Sequence, residues 1–314
     1  MKASRLLGSL GGLRVSVKQV QLITERVGAA LRVEREKKTS AFLDRTAPES
    51  TAAPALLVVS ADGGRVQTRH NDPSRKWKED KIGLVWEATP RPERPGHDYE
   101  GPPPGPRSAT ATVSDWNALG DDLSALAHRR GYDRAAVALF VSDGAVGLRS
   151  LRERCFPDAV FILDWAHAVE HLHACSRAGF GDTPHADRWY KRQKERLWNG
   201  RADLVSNNLR TLARRLGPPP EGAGENDPRR VLANNIQYFR DNGAGMDYAT
   251  FRRNGWPIGS GVTESVVKQV GMRVKGSEKH WSLEGVEETL QVVAALISDD
   301  GTWDRFWRQA PLAA

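Results

Sequence analysis

Three acidic side chains stand where local punctuation would expose them: Asp62 in SADGG, Asp143 in FVSDGA and Glu264 in GSGVTES. Carboxylates far apart in sequence but gathered by a fold are the oxygen ligands that hard cations such as Mg²⁺ take, and two or three of them can hold a pair of ions for in-line phosphoryl transfer. In such chemistry one ion lowers the pKa of an attacking water or 3′-hydroxyl, and the other stabilises the leaving oxygen. Each acid also has a plainer reading. Asp-Gly after a strand is a common turn signal, and a glutamate in a first helical turn is favoured by the helix dipole.

The elements that must position these acids follow from the apolar patterning. ALLVVSADGG (55–64) reads as a buried strand, GRVQTR (64–69) as a short alternating one and KIGLVWEAT (81–89) as a third, with turns between them. Asp62 is then expected at the end of the first strand, where the chain turns. The proline-rich stretch 90–106 reads as a surface loop acting as a spacer. A helix capped by Ser114 runs to Gly131, and AAVALFVSDG is a fourth strand ending at Asp143. VGLRSLRERCF is a helix and AVFILDW a fifth strand. Residues 166–250 are mostly helical, interrupted at Gly179-Phe180-Gly181 and GPPPEGAGEND. Adjacent strands can pair as an antiparallel meander while the later ones need helical crossovers, so an α/β fold with a mixed five-stranded sheet flanked by helices is predicted, in RNase H-like order. In that order the first and fourth strands are neighbours, which would aim Asp62 and Asp143 into one cleft. Pro257, Gly259 and Gly261 punctuate a turn, and Thr263-Glu264 open a helix with Val266, Val267 and Val270 on one side.

The balance of 46 Lys plus Arg against 39 Asp plus Glu, net +7, suits a polyanionic partner. Lys268, Arg273, Lys275, Lys279 and His280, with Trp281, form a basic strip suited to DNA phosphates and an exposed base, or equally a solvated helix face. Two cysteines, Cys155 and Cys175, build no disulfide framework and no CxxC pair, which fits a reducing compartment. No signal-type run and no membrane-length apolar run are seen, predicting a cytoplasmic protein without a membrane partner. Residues 1–45 carry two helix-like patterns joined at Gly11-Gly12, the second capped at Ser16: a helix-turn-helix remnant, or a helical arm packing on the core. With a breaker-rich linker at 46–54, the chain divides into an arm (1–50), a first core part (51–165), a helical insertion (166–250) and C-terminal core helices (251–314).

Two other motifs compete. His167-Ala168-Val169-Glu170-His171 matches HxxEH, in which histidines at i and i+4 share a helix face and hold zinc beside a glutamate base. A third ligand would be needed, and Asp164 with His167 reads better as a pair flanking the carboxylates. Gly259-Ser260-Gly261 lacks the GxSxG spacing of a hydrolase nucleophile and is read as a turn.

Several segments resemble the ISKra-type (Kra-four insertion-sequence) transposases, distantly Mutator-like DDE enzymes: Asp62-Gly63-Gly64 with Arg65 and Arg69, Ser142-Asp143-Gly144, ILDWAHAVEHL (162–172) and the block 246–276 continuing through Trp281. The likeness spans roughly residues 55–307. It implies an RNase H-like core with an all-helical insertion between the second and third acids. Its triad would be Asp62, Asp143 and Glu264, and it is the likeness that selects Glu264 over Glu284, Glu287 or Glu288. It further implies Mg²⁺, with Mn²⁺ substituting; double-stranded DNA as transposon ends and target; and a homo-oligomer on that DNA, associated with the nucleoid. GSEKHW (276–281) departs from the usual glycine-methionine-basic-tryptophan run, and the region before Asp62 is shorter than such enzymes usually carry. A catalytically silent or domesticated DNA-binding remnant is therefore the alternative.

Overall fold

The computed structural model describes residues 7, 9, 11–69 and 76–309. Five strands form one mixed sheet: β1 (Leu56–Gln67), β2 (Trp77–Ala88), β3 (Pro104–Thr112), β4 (Ala138–Ser142) and β5 (Val160–Leu163), in the order β3-β2-β1-β4-β5. β1 and β2 are hydrogen-bonded neighbours, and just beyond them Thr68 N–H donates to the Lys76 carbonyl at 2.7 Å, whereas β4 and β5 run parallel with Ser142 opposite Leu163. The helices are α1 (Val17–Leu43), α2 (Trp116–Arg129), α3 (Val146–Cys155), α4 (Trp165–Phe180), α5 (Pro184–Trp198), α6 (Ala202–Leu216), α7 (Pro228–Asp241), α8 (Tyr248–Arg253), α9 (Gly261–Val274), α10 (Leu283–Ile297) and α11 (Thr302–Gln309). None among the described residues is long and apolar enough to cross a membrane.

Three expectations about these elements need correction. Asp62-Gly63-Gly64 is not a turn: the segments expected as two strands are one, and Asp62 lies inside β1. The glycines serve close approach instead, since a Cβ on Gly64 would stand 2.7 Å from Asp80 Oδ1. The strand β3 begins inside the stretch read as a proline-rich spacer. Pro104 and Pro106 are tolerated because β3 is at the edge of the sheet, where a missing N–H costs little. Finally, the cap of α2 is Asp115 rather than Ser114, its Oδ1 accepting from Ala118 N–H at 2.8 Å.

Packing groups the residues into two units. One comprises Met1–Glu87, Pro104–Ala136 and Val262–Ala314, the other Ala88–Pro103 and Val137–Gly261. In the first unit α1 starts as expected at Ser16, whose Oγ accepts from Gln19 N–H at 3.1 Å while Gln19 Oε1 accepts from Ser16 N–H at 2.8 Å. The helix packs on α2 and α10, so close to α10 that a Cβ on Gly28 would meet the Glu288 carbonyl oxygen at 2.1 Å. Arg35 ties the three helices together, reaching Asp122 at 3.3 Å and Glu287 at 3.0 Å. Most of the first N-terminal helix pattern, on which the helix-turn-helix reading depends, lies outside the described residues.

The second unit holds β4, β5 and helices α3 to α8, matching the expected helical run, with breaks where Gly179–Gly181 and 217–227 were expected to interrupt it. Leu172, Leu209, Leu232 and Phe239 are buried in its interior.

Candidate active-site residues

In the first unit a buried polar contact fastens α9 to β1. Ser60 and Thr263, each 1 % exposed, share a hydrogen bond of 2.6 Å between their hydroxyls. Side chains alternate along a strand, so Ser60, Asp62 and Gly64 belong to one face of β1. Glu264 follows Thr263 in the first turn of α9. The seam thus carries Asp62 and Glu264, both half-buried. Asp62 Oδ1 accepts from Gly63 N–H at 2.6 Å, and Glu264 Oε2 lies 3.7 Å from Lys268 Nζ one turn on.

The basic strip divides by what its members touch. Arg65, Lys268, Arg273 and Lys275 are exposed. Lys279, by contrast, spends its ammonium on the end of α9, donating to the Arg273 carbonyl at 2.7 Å, and the Trp281 indole N–H donates to the Val274 carbonyl at 2.8 Å. The Trp281 backbone pairs with the end of β1, its N–H on the Gln67 carbonyl at 2.9 Å and its carbonyl taking Arg69 N–H at 2.7 Å. Arg69 Nε also donates to the His280 carbonyl at 2.7 Å. These three residues close α9 and tie it to β1.

One acid escaped the sequence reading. Asp80 on β2 is 0 % exposed, and neither of its carboxylate oxygens bonds to another described residue. Burial raises its pKa against the pull of the Lys275 charge. The signal was present in the glycine pair of β1, since glycine inside a strand marks a close approach by something.

In the second unit the chain does turn after its strand. Asp143 follows the end of β4, half-buried, and its Oδ1 accepts from Ala145 N–H at 2.8 Å while Gly144 takes φ +78°. The Tyr238 hydroxyl donates to the Asp143 carbonyl at 2.6 Å, and its phenol pKa is pushed up by burial and by the charges of Asp143 and Asp164. After β5, Asp164 caps α4: Oδ1 accepts from His167 N–H at 2.9 Å and faces His167 Nδ1 at 3.0 Å, while Oδ2 accepts from Ser260 N–H. Burial alone would raise Asp164, but these donors hold it down at about 2. Its hydrogen bond raises His167 to about 9 against burial, with the charges of Asp164, Asp143 and Glu170 adding to the effect. The unit therefore holds a cationic imidazolium in the field of Asp143, and the Gly259-Ser260 turn serves Asp164.

The zinc motif meets other partners. His167 is engaged by Asp164, and His171 Nδ1 lies 2.7 Å from Asn235 Oδ1 with its ring stacked on Tyr238 at 3.7 Å. Among the described residues no group of three or more His, Cys, Asp or Glu is arranged to hold a metal ion. The donor chemistry of Asp62, Asp143 and Glu264, all carboxylates, nonetheless fits a hard divalent cation.

No known family profile matches the sequence, and no curated protein matches it. Among solved structures it is similar to one described as "Drosophila P element transposase strand transfer complex", with 11% identity over 95% of this chain and 96% of that chain and a TM-score of 0.36. At that identity and TM-score the likeness is too slight to bear on function.

Proposed function

We propose that this chain is a DDE transposase of ISKra type, a polynucleotidyl transferase that cuts a phosphodiester at an insertion-sequence end and joins the freed 3′-hydroxyl to target DNA. The observation that carries this reading is the buried Ser60–Thr263 contact, which fastens β1 to α9, the elements bearing the proposed first and third acids. The strand order and the helical run between Asp143 and Glu264 agree with it. Asp62, Asp143 and Glu264 are the proposed ligands of Mg²⁺, with Mn²⁺ as substitute. When bound, the metal supplies Lewis-acid stabilisation of the phosphoryl oxygens. The chain's own residues do the rest. Asp164 keeps His167 protonated near Asp143, where an imidazolium can face a phosphate. Arg65, Lys268, Arg273 and Lys275 add exposed positive charge for the duplex. Double-stranded DNA and a second copy of the chain on it are the proposed partners.

The test is cleavage of a labelled element end across a Mg²⁺ titration, comparing the wild type with Asp143→Ala and Glu264→Gln. Each variant should lose strand cleavage by more than about 100-fold, beyond what losing an outer-shell partner costs, while duplex affinity is kept. Equal duplex binding without cleavage by any form, wild type included, would instead establish a silent DNA-binding remnant.

A further inference from the structure

Lys275 and Asp80 approach each other where β1 has no side chain, without forming an ion pair. A Cβ on Gly64 would stand 2.6 Å from Lys275 Nζ, 2.7 Å from Asp80 Oδ1 and 2.9 Å from Asp80 Oδ2, so both charged groups border the space that a Gly64 side chain would fill. Gly64 is two residues from Asp62 and on the same strand face. Asp80 is wholly buried, and its oxygens have no bond to any other described residue. A carboxylate left so is costly unless a cation stands in its field. On the neighbouring positions, Glu79 and Lys81 are paired with each other at 2.9 Å. The Lys81 charge also acts on Asp80, but Lys275, otherwise an exposed side chain just beyond α9, exerts the stronger pull.

We infer that Asp80 is a positioning residue: acting through the gap at Gly64, it holds the Lys275 ammonium over the Asp62-bearing face of β1, where that ammonium contacts a DNA phosphate. The inference rests on the proposed DNA reaction for its ligand, and on geometry alone for the Asp80–Gly64–Lys275 arrangement. A lysine free in solvent loses rotamer entropy when it binds a phosphate, and one already held by a buried carboxylate loses less. Gly64 is required because any side chain there would push the two groups apart.

Three variants, Asp80→Asn, Lys275→Ala and Gly64→Ala, test this on a fluorescent duplex in the presence of Ca²⁺, without cleavage. Each should weaken binding by roughly 5-fold and lower the slope of log Kd against log salt by about one. The Asp80→Asn, Lys275→Ala double variant should bind no more weakly than either single one, because the two act as one unit. A readout independent of DNA is the acylation rate of individual lysines, followed by mass spectrometry. Lys275 should react about 5-fold faster in Asp80→Asn than in the wild type, as the ammonium is released from the buried carboxylate. An unchanged Lys275 rate in Asp80→Asn, additive losses in the double variant, or full duplex affinity in Asp80→Asn would each overturn the inference. If the transposase reading alone failed, cleavage would be absent while the acylation difference persisted.

Discussion

Two buried aspartates, one in each unit, show opposite behaviour. Asp164 is 1 % exposed and Asp80 0 % exposed, so depth does not separate them. Asp164 receives the backbone N–H groups of His167 and Ser260 and faces the His167 ring, and it is held at about 2 despite burial. Asp80 receives nothing from another described residue, and burial raises it. The donors supplied by the fold, and not depth, set the ionisation of a buried carboxylate. The difference also separates two roles. A satisfied acid at a helix start anchors structure and keeps a neighbouring histidine charged, while an unsatisfied one exerts an uncompensated field on whatever cation can reach it.

The largest effect is expected at Asp164. Replacing it by Ala should remove the α4 cap and leave His167 and Ser260 N–H without their acceptor, costing about 3 kcal/mol in denaturant unfolding. A loss no larger than that of a surface cap would refute the anchoring role.

The pH profile gives the next largest effect. Asp164 is depressed, so its contribution is present above the unfolded value of about 4 and lost as pH falls towards 2. His167 is raised, so its contribution is complete below about 6.5 and lost as pH rises through 9. Thermal melts of the wild type against His167→Ala should differ most between about pH 4 and 6.5 and converge above pH 9. A difference that instead grew with pH would show that the pair is not formed. Asp80 has the opposite sign, because a raised carboxyl costs stability when ionised and acid relieves that cost.

A smaller change tests the seam. Thr263→Val leaves the buried Ser60 hydroxyl without its partner and should cost about 1–2 kcal/mol. Strand cleavage should fall further than duplex binding; equal falls in both would mean the contact supports only the fold. The smallest stability effect is expected for Asp80→Asn, which removes an unsatisfied charge at nearly constant volume and should leave the melting temperature unchanged or slightly raised. Destabilisation as large as that of Asp164→Ala would erase the contrast between the two aspartates.

How much was legible in the residues varies by element. The apolar runs of β1, β4 and β5 and the helical spacing of 166–250 were readable because burial on a strand or helix leaves a period in the sequence. The Ser16 capping box was readable for a similarly local reason. β3 was hidden, since PGPRSATAT carries turn residues that only an edge position tolerates. The Asp-Gly signal divided in two. After β4 it turns, as expected, whereas in β1 it continues as strand, with Asp80 and Lys275 bordering the space that a Gly64 side chain would fill.

Local pattern was enough to read most helices and the apolar strands, and to mark Asp62 and Asp143 as candidates, because periodicity and the chemistry of hard-cation ligands are both written residue by residue. Packing alone brings Ser60 to Thr263, occupies Lys279 and Trp281 in closing α9, and buries Asp80 beside a glycine. Such pairings join residues distant in the chain. No local propensity encodes them, and they exist only once the strands have chosen their register and the helices have packed on them.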